Sequence, residues 1–254
     1  MHPRVTVTAA LELGESGMNA TDIARVLGVP RATVRDWLYG QLPRRDRMPA
    51  HSTGHGCCER CDGDEHDFTA LPSEYVYLLD LYLGDGCISP HPRGVYKLRI
   101  VLDAKYPGIV GGAAAAVGRV RGAPASVLER RDNCVEVYSY WKSSPCLLPQ
   151  HGRGKKYARS IVLADWQRQL VTSWPEHLLK GLINSDGCRF QNLGRNKWSH
   201  PRYSFSQRSD DITRIFCETC EMLGIRWTAA GGMTIYVSRK ADVATLDRFI
   251  GPKR

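Results

Sequence analysis

No apolar run among the 254 residues approaches the roughly 18 that a membrane-crossing helix needs, so a membrane partner is not expected. The opening residues, MHPRVTVTAA, lack the charged-then-apolar layout of a secretion signal. A cytoplasmic, nucleoid-associated location is the expectation. Without a secretion signal, nine cysteines point to thiols or a metal site and not to a disulfide framework. Acid is missing where base is dense. Residues 142–164 carry Lys142, Arg153, Lys155, Lys156 and Arg159 with no Asp or Glu. Residues 189–208 carry Arg189, Arg195, Lys197, Arg202 and Arg208, again without acid, interleaved with Phe190, Trp198, Tyr203 and Phe205. A solvated surface usually mixes signs. Against a formal net charge of +9, such stretches read as surfaces facing phosphates.

What is present begins with MNATDIARVLGVPRATVRDWLYG near the N-terminus. It predicts two short helices joined by a tight turn. Thr21 is placed to cap the first, whose apolar side is Ile23, Ala24 and Leu27. Gly28 suits the left-handed position of the turn, and Pro30 blocks continuation of the first helix. The second helix is expected to bury Val34 and Leu38 and to turn Arg31, Thr33 and Arg35 outward. This pattern resembles a helix-turn-helix, whose second helix enters the DNA major groove.

Residues 41–56, QLPRRDRMPAHSTGHG, read as a basic linker leading into a small Cys/His island, HGCCERCDGDEHDF. Cys58 and Cys61 have the CxxC spacing of zinc thiolates, with His55, Cys57 or His66 as candidates to complete a Zn²⁺ site. No second CxxC lies nearby. Cys217 and Cys220 share the spacing, but Ile212, Ile215, Phe216, Cys220 and Leu223 fit one helix face, so these are read as buried thiols.

From residue 73 onward the chain reads as a duplication. LLDLYLGDG at residues 78–86 returns as LKGLINSDG at 179–187, each followed by Cys. An apolar helix near 73–85 leads to the strand VYKLRIVLD, a helix near 107–121, the strand CVEVYSYW and a loop ending in HGRGKK. An apolar helix near 175–186 leads to RYSFSQ, a helix at 210–223, MTIYVSR, a helix at 241–249 and GPKR. The spacing from Asp85 to Lys156 nearly equals that from Asp186 to Lys253. In residues 95–103, Tyr96, Leu98, Ile100 and Leu102 alternate with Lys97, Arg99, Val101 and Asp103, so one face packs on helices while the other presents cations. Two such sheets side by side would make a basic saddle suited to a duplex.

Gly84 and Ser185 precede the two acids, and Gly86 and Gly187 follow them. Small residues let two helix backbones approach closely, and a trailing glycine permits a sharp left-handed exit. If the helices pair, Asp85 and Asp186 become neighbours at two C-terminal tips, where the helix dipoles and each other's charge oppose them. Such an arrangement calls for a divalent cation, and oxygen-only ligation suits Mg²⁺ or Mn²⁺.

The paired nonapeptides resemble the two copies of the LAGLIDADG signature of homing endonucleases, over about residues 73–254. The resemblance implies an α+β fold of two pseudo-symmetric αββαββα halves forming a DNA-binding saddle; the small all-α helix-turn-helix domain read in front of it is a departure from a free-standing homing enzyme. The expected divisions are 1–40 for the helix-turn-helix, 41–72 for the linker, 73–160 for the first half and 161–254 for the second. It further implies a monomer acting as a pseudo-dimer that cleaves double-stranded DNA with Mg²⁺. One acid per half, Asp85 and Asp186, would hold metal, and Lys156 (or Lys155) and Lys253 would stand by the scissile phosphates. The family's early-strand polar residue has no clear counterpart, and Arg99 and Gln207 are the candidates for its place. Expected DNA contacts are Arg31, Thr33, Arg35, Lys97, Arg99, Lys142, Lys155, Arg189, Arg195, Lys197, Arg202 and Arg208. The competing expectation is a non-catalytic transcription regulator on the same scaffold, with an intron RNA maturase third. An intein is not expected, since the chain starts MHPR and ends GPKR without a splicing nucleophile or terminal His-Asn pair.

Overall fold

The computed structural model describes residues 4–39, 57–58, 63–64, 66–193, 199–251 and 253. The chain divides into two compact units, residues 1–56 and 57–254, so the boundary falls inside the stretch expected as a linker. Among the described residues no helix is long and apolar enough to cross a membrane.

The first unit holds α1 (Arg4–Glu15), α2 (Ala20–Leu27) and α3 (Arg31–Leu38). Gly28 ends α2 at φ 63°, the left-handed turn expected of it. The cap of α2 is a correction: Asn19, not Thr21, accepts from the backbone N–H groups of Thr21 and Asp22 at 3.0 and 3.1 Å. Burial on α3 also shifts by one residue. Val7, Ala10, Ile23, Val29, Val34 and Trp37 make the core, and Leu38 is only partly buried. The reason is α1, which takes Trp37 into the core and offers Gly14, whose missing side chain makes room for Leu38.

In the second unit a short hairpin pairs β1 (Cys57–Cys58) with β2 (Gly63–Asp64). The first half then runs α4 (Glu74–Asp85), β3 (Gly86–His91), β4 (Val95–Asp103), α5 (Pro107–Arg121), β5 (Ser126–Glu129), β6 (Cys134–Trp141) and α6 (Ser144–Leu147). After a preceding helix α7 (Asp165–Ser173), the second half runs α8 (Pro175–Asp186), β7 (Gly187–Leu193), β8 (Ser199–Ser206), α9 (Asp210–Met222), β9 (Thr228–Ala230), β10 (Thr234–Val237) and α10 (Lys240–Phe249). Each half is αββαββα. The sheets are antiparallel, ordered β3-β4-β6-β5 and β7-β8-β10-β9, the same topology twice.

The alternation expected in β4 holds, with Leu98, Ile100 and Leu102 buried. Tyr203 and Phe205 do the same for β8, and the Phe205 ring stacks on Phe216 of α9 at 4.3 Å. Residues Tyr75 to Leu83 of α4 are all buried, as befits a helix enclosed on every side. One hydrophobic cluster takes side chains from both halves. Cys217 and Cys220 lie in it as buried thiols, and desolvation pushes Cys217 up to about 11 and Cys220 upward as well.

Candidate functional site

The centre of the second unit is the seam between α4 and α8, and small residues set its closeness. A side-chain carbon placed on Gly84 would overlap the Cβ and Oγ of Ser185 and would lie 3.1 Å from Oδ2 of Asp186. One turn back, a carbon on Gly181 would overlap Asp80. The Ser185 hydroxyl is satisfied inside its own helix by the carbonyls of Gly181 and Leu182, both at 3.1 Å. The seam therefore crosses where each level has glycine on one side, and it carries Asp85 and Asp186 to neighbouring positions at the two helix ends.

The exits from these ends differ from expectation. Gly86 has φ −91° and Gly187 φ −115°, both extended and not left-handed. Both helices pass directly into strands, and glycine serves close approach instead. A Cβ on Gly86 would sit 2.5 Å from Cα of Tyr82, and one on Gly187 would sit 2.8 Å from the carbonyl of Ser204.

A lysine closes each helix end. Lys156 Nζ donates to the carbonyls of Leu83 and Gly84, each at 3.0 Å, and to that of Tyr82. Lys253 Nζ donates to the carbonyl of Asn184 at 2.9 Å. Each amine thus meets the negative end of a helix dipole. Burial pushes the Lys156 amine down to about 8, while Asp85 and Asp186 pull it back up; burial lowers Lys253 too. Burial, and next the charge of Asp186, push the Asp85 carboxyl up to about 6 against the opposing pull of Lys156 and Lys253. Asp186 is raised by burial. Burial therefore opposes the charged form of all four groups, while each amine favours the ionised acids and each acid the protonated amines, a perturbed cluster of the kind found at functional sites.

Of the two early-strand candidates, Gln207 is the one that reaches an acid. Its Nε2 donates to Oδ2 of Asp186 at 2.8 Å, and its Oε1 accepts from the backbone N–H of Arg208 at 2.8 Å, which fixes the amide orientation. Arg99 instead donates from Nε to Sγ of Cys87 at 3.2 Å. Cys188 mirrors Cys87 in the second half, with Sγ 3.1 Å from Oγ of Ser204. Sequence reading missed Tyr157 and the structural role of Arg159. Both line a cleft of about 350 Å³ with Lys155, Lys156, Asp186 and Gln207. The Tyr157 ring lies 4.1 Å from the Arg208 guanidinium and 5.6 Å from Lys155. Their only sequence signal was membership of the acid-free stretches.

The remaining expected cations are scattered. Lys97 lies on the outer face of its sheet, pairs with Glu136 at 2.5 Å and rests over the Tyr138 ring at 4.4 Å. Arg202 donates to His200 at 3.0 Å. Arg189 shares the side of Tyr203, whose ring is buried, and forks onto Asp247 of α10 at 2.7 and 2.9 Å. It is therefore on the helix side of its sheet, opposite to the face of Arg202. Lys142 is half-buried, and Arg31 and Arg35 are exposed on α3 with Thr33 half-buried between them. Arg195, Lys197, His55, Cys61 and the side chain of Cys58 lie outside the described residues; His66 packs on Phe68 at 5.4 Å. Among the described residues no group of three His, Cys, Asp or Glu side chains is arranged to hold a metal ion.

No family model and no curated protein matches this chain. Among solved structures, the LAGLIDADG meganuclease I-AabMI bound to uncleaved DNA is similar at TM-score 0.45 and 14% identity, covering 69% of this chain and 82% of that one. I-DmoI in complex with DNA and Mn is similar at TM-score 0.44 and 13% identity, covering 72% and 98%. The N-terminal LAGLIDADG domain of WhiA is similar at TM-score 0.42 and 11% identity, covering 72% and 84%.

Proposed function

We propose that this chain is a DNA-binding protein that hydrolyses phosphodiester bonds in both strands of a specific site. The observation that carries the reading is the acid pair itself: Asp85 and Asp186 brought together at two helix ends, each end closed by its own lysine. Among the described residues no thiol or imidazole completes a cage around the two carboxylates, and such a pair fits a hard cation that takes its other ligands from water and phosphate, Mg²⁺ or Mn²⁺, and not Zn²⁺. Asp85 and Asp186 would hold it, and bound there it would supply charge to activate water and to stabilise the leaving oxygen. The chain's own groups do the rest. Gln207 orients Asp186. Lys156 and Lys253 put positive charge beside the acids, where a phosphate would otherwise be repelled. Lys155, Arg208 and Tyr157 stand at the rim of the cleft, and Arg99 and Arg202 on the outer faces of the sheets suit backbone phosphates.

A second reading, a regulator that binds without cutting, is favoured by a specific observation: both site amines are engaged by helix carbonyls. One experiment separates the two. Duplexes bound by the protein are selected from a randomised pool and then incubated with Mg²⁺ or Mn²⁺. Metal-dependent breaks in both strands, lost by at least about 100-fold in Asp85→Asn and Asp186→Asn, are expected. A tightly bound duplex that stays intact at every metal concentration would establish the regulator instead.

A further inference from the structure

Away from the acid pair, α4, α5 and α8 enclose a second cleft of about 370 Å³, within the range that holds small organic ligands. Its lining breaks the internal repeat. When LLDLYLGDG is laid on LKGLINSDG, Val76, Leu79 and Leu83 of α4 occupy the places of His177, Lys180 and Asn184 of α8. The three α4 residues are aliphatic and fully buried, whereas their α8 counterparts are polar and half-buried on the cleft wall. Polar groups at such depth cost stability unless they find partners, and a departure of this kind from the local rule marks a functional place.

The partners found are incomplete. Nδ1 of His177 is buried with no hydrogen bond among the described residues. Lys180 has no ion pair there either. Asn184 donates from Nδ2 to the hydroxyl oxygen of Tyr77 at 3.2 Å, which leaves the Tyr77 O–H free to donate into the cleft. Glu74, also in the lining, is engaged by Ser73 at 3.3 Å and Arg119 at 3.7 Å, so the acid's charge is answered and that of Lys180 is not. The opposite wall is small and apolar. Gly108 and Gly112 thin α5, and Ile109, Ala116 and Ile250 complete an apolar surface.

We propose that this cleft binds a small organic carboxylate, its anionic end toward Lys180 and the Tyr77 hydroxyl and its flat apolar body against Ile109, Ala116 and Ile250. Asn184 joins the cleft to the acid pair, because its side chain holds Tyr77 while its main-chain carbonyl receives Lys253. Occupancy is therefore felt at the end of α8, although binding itself needs neither DNA nor metal.

Isothermal titration of the full-length chain with indole-3-acetate and with its neutral amide, indole-3-acetamide, tests this without any cleavage reaction. The acid is expected to bind saturably and at least about 10-fold more tightly than the amide, as a charge-assisted contact requires. Lys180→Met, which keeps the apolar stem, is expected to erase that preference. Gly112→Leu, which builds a side chain over Tyr77, is expected to weaken both probes, with thermal melts confirming that each variant folds. Absence of saturable binding by the acid, or equal binding of acid and amide, would overturn the proposal, as would a preference that survives in Lys180→Met.

Discussion

Asp80 sits in the seam with no relative exposure, and neither of its carboxylate oxygens has a hydrogen-bond partner among the described residues. Gly181 faces it from α8, and Tyr75 and Tyr77 on its own helix, whose hydroxyls its charge reaches, are kept neutral by burial. Burial alone pushes this carboxyl well above the usual range, so folding favours its protonated form. The unfolded chain releases that proton near pH 4. Between that pH and its folded value the native state binds the extra proton, so Asp80 makes stability fall as pH rises. Asp80→Asn, uncharged and of the same shape, should match wild type near pH 3 and become the more stable protein toward neutrality. Urea unfolding at a series of pH values reads this; parallel curves for the two proteins would mean that Asp80 is ionised and solvated.

At the scale of elements, closeness of the seam is the property to test. Gly84→Ala should cost about 1–3 kcal/mol, because the added carbon overlaps Ser185 and the helices must part. Ser185→Gly in the same chain should restore part of that loss, and denaturant midpoints measure both; equal loss in single and double variants would place the strain elsewhere. Helices α5 and α8 were legible at their residue limits, because proline starts each and apolar periodicity sustains both. Strands β3 and β7 were not. GCISPH contains a proline and little alternation, and only its register against β4, with Gly86 opposite Ile100, makes it a strand. Helix α1 escaped notice for a related reason: its sequence is weakly amphipathic, and packing with α2 and α3 reveals its buried side. The acid pair was legible because it repeats. The lysine-to-carbonyl contacts were not, since spacing along a chain does not specify what an amine touches.

The whole molecule carries a formal net charge of +9, but charge along the sequence is a poor map of charge in space. Arg189 lies in a stretch without acids and is nonetheless answered by Asp247 from α10. Lys97 is likewise answered by Glu136 across the strand pair. Among the described residues Arg202 pairs with no acid and donates to His200, which makes it the better candidate for a phosphate contact. Arg202→Ala should weaken DNA binding at low salt and flatten the log–log salt dependence by about one unit, while Arg189→Ala should leave the slope unchanged and lower stability instead. Binding titrations from low to moderate salt decide between these outcomes, and equal slopes for wild type and Arg202→Ala would remove that residue from the interface.

The two halves share one core, and α4 crossing α8 is the seam at its centre. Each carboxylate of the pair belongs to a different half, so neither half alone owns a site. A chain caught with one half folded and the other still loose holds a single acid and a single amine, and nothing to clamp a cation between them. Completion of the fold thus acts as its own safety catch: the chemistry proposed for this protein becomes available only once the seam between the halves has closed.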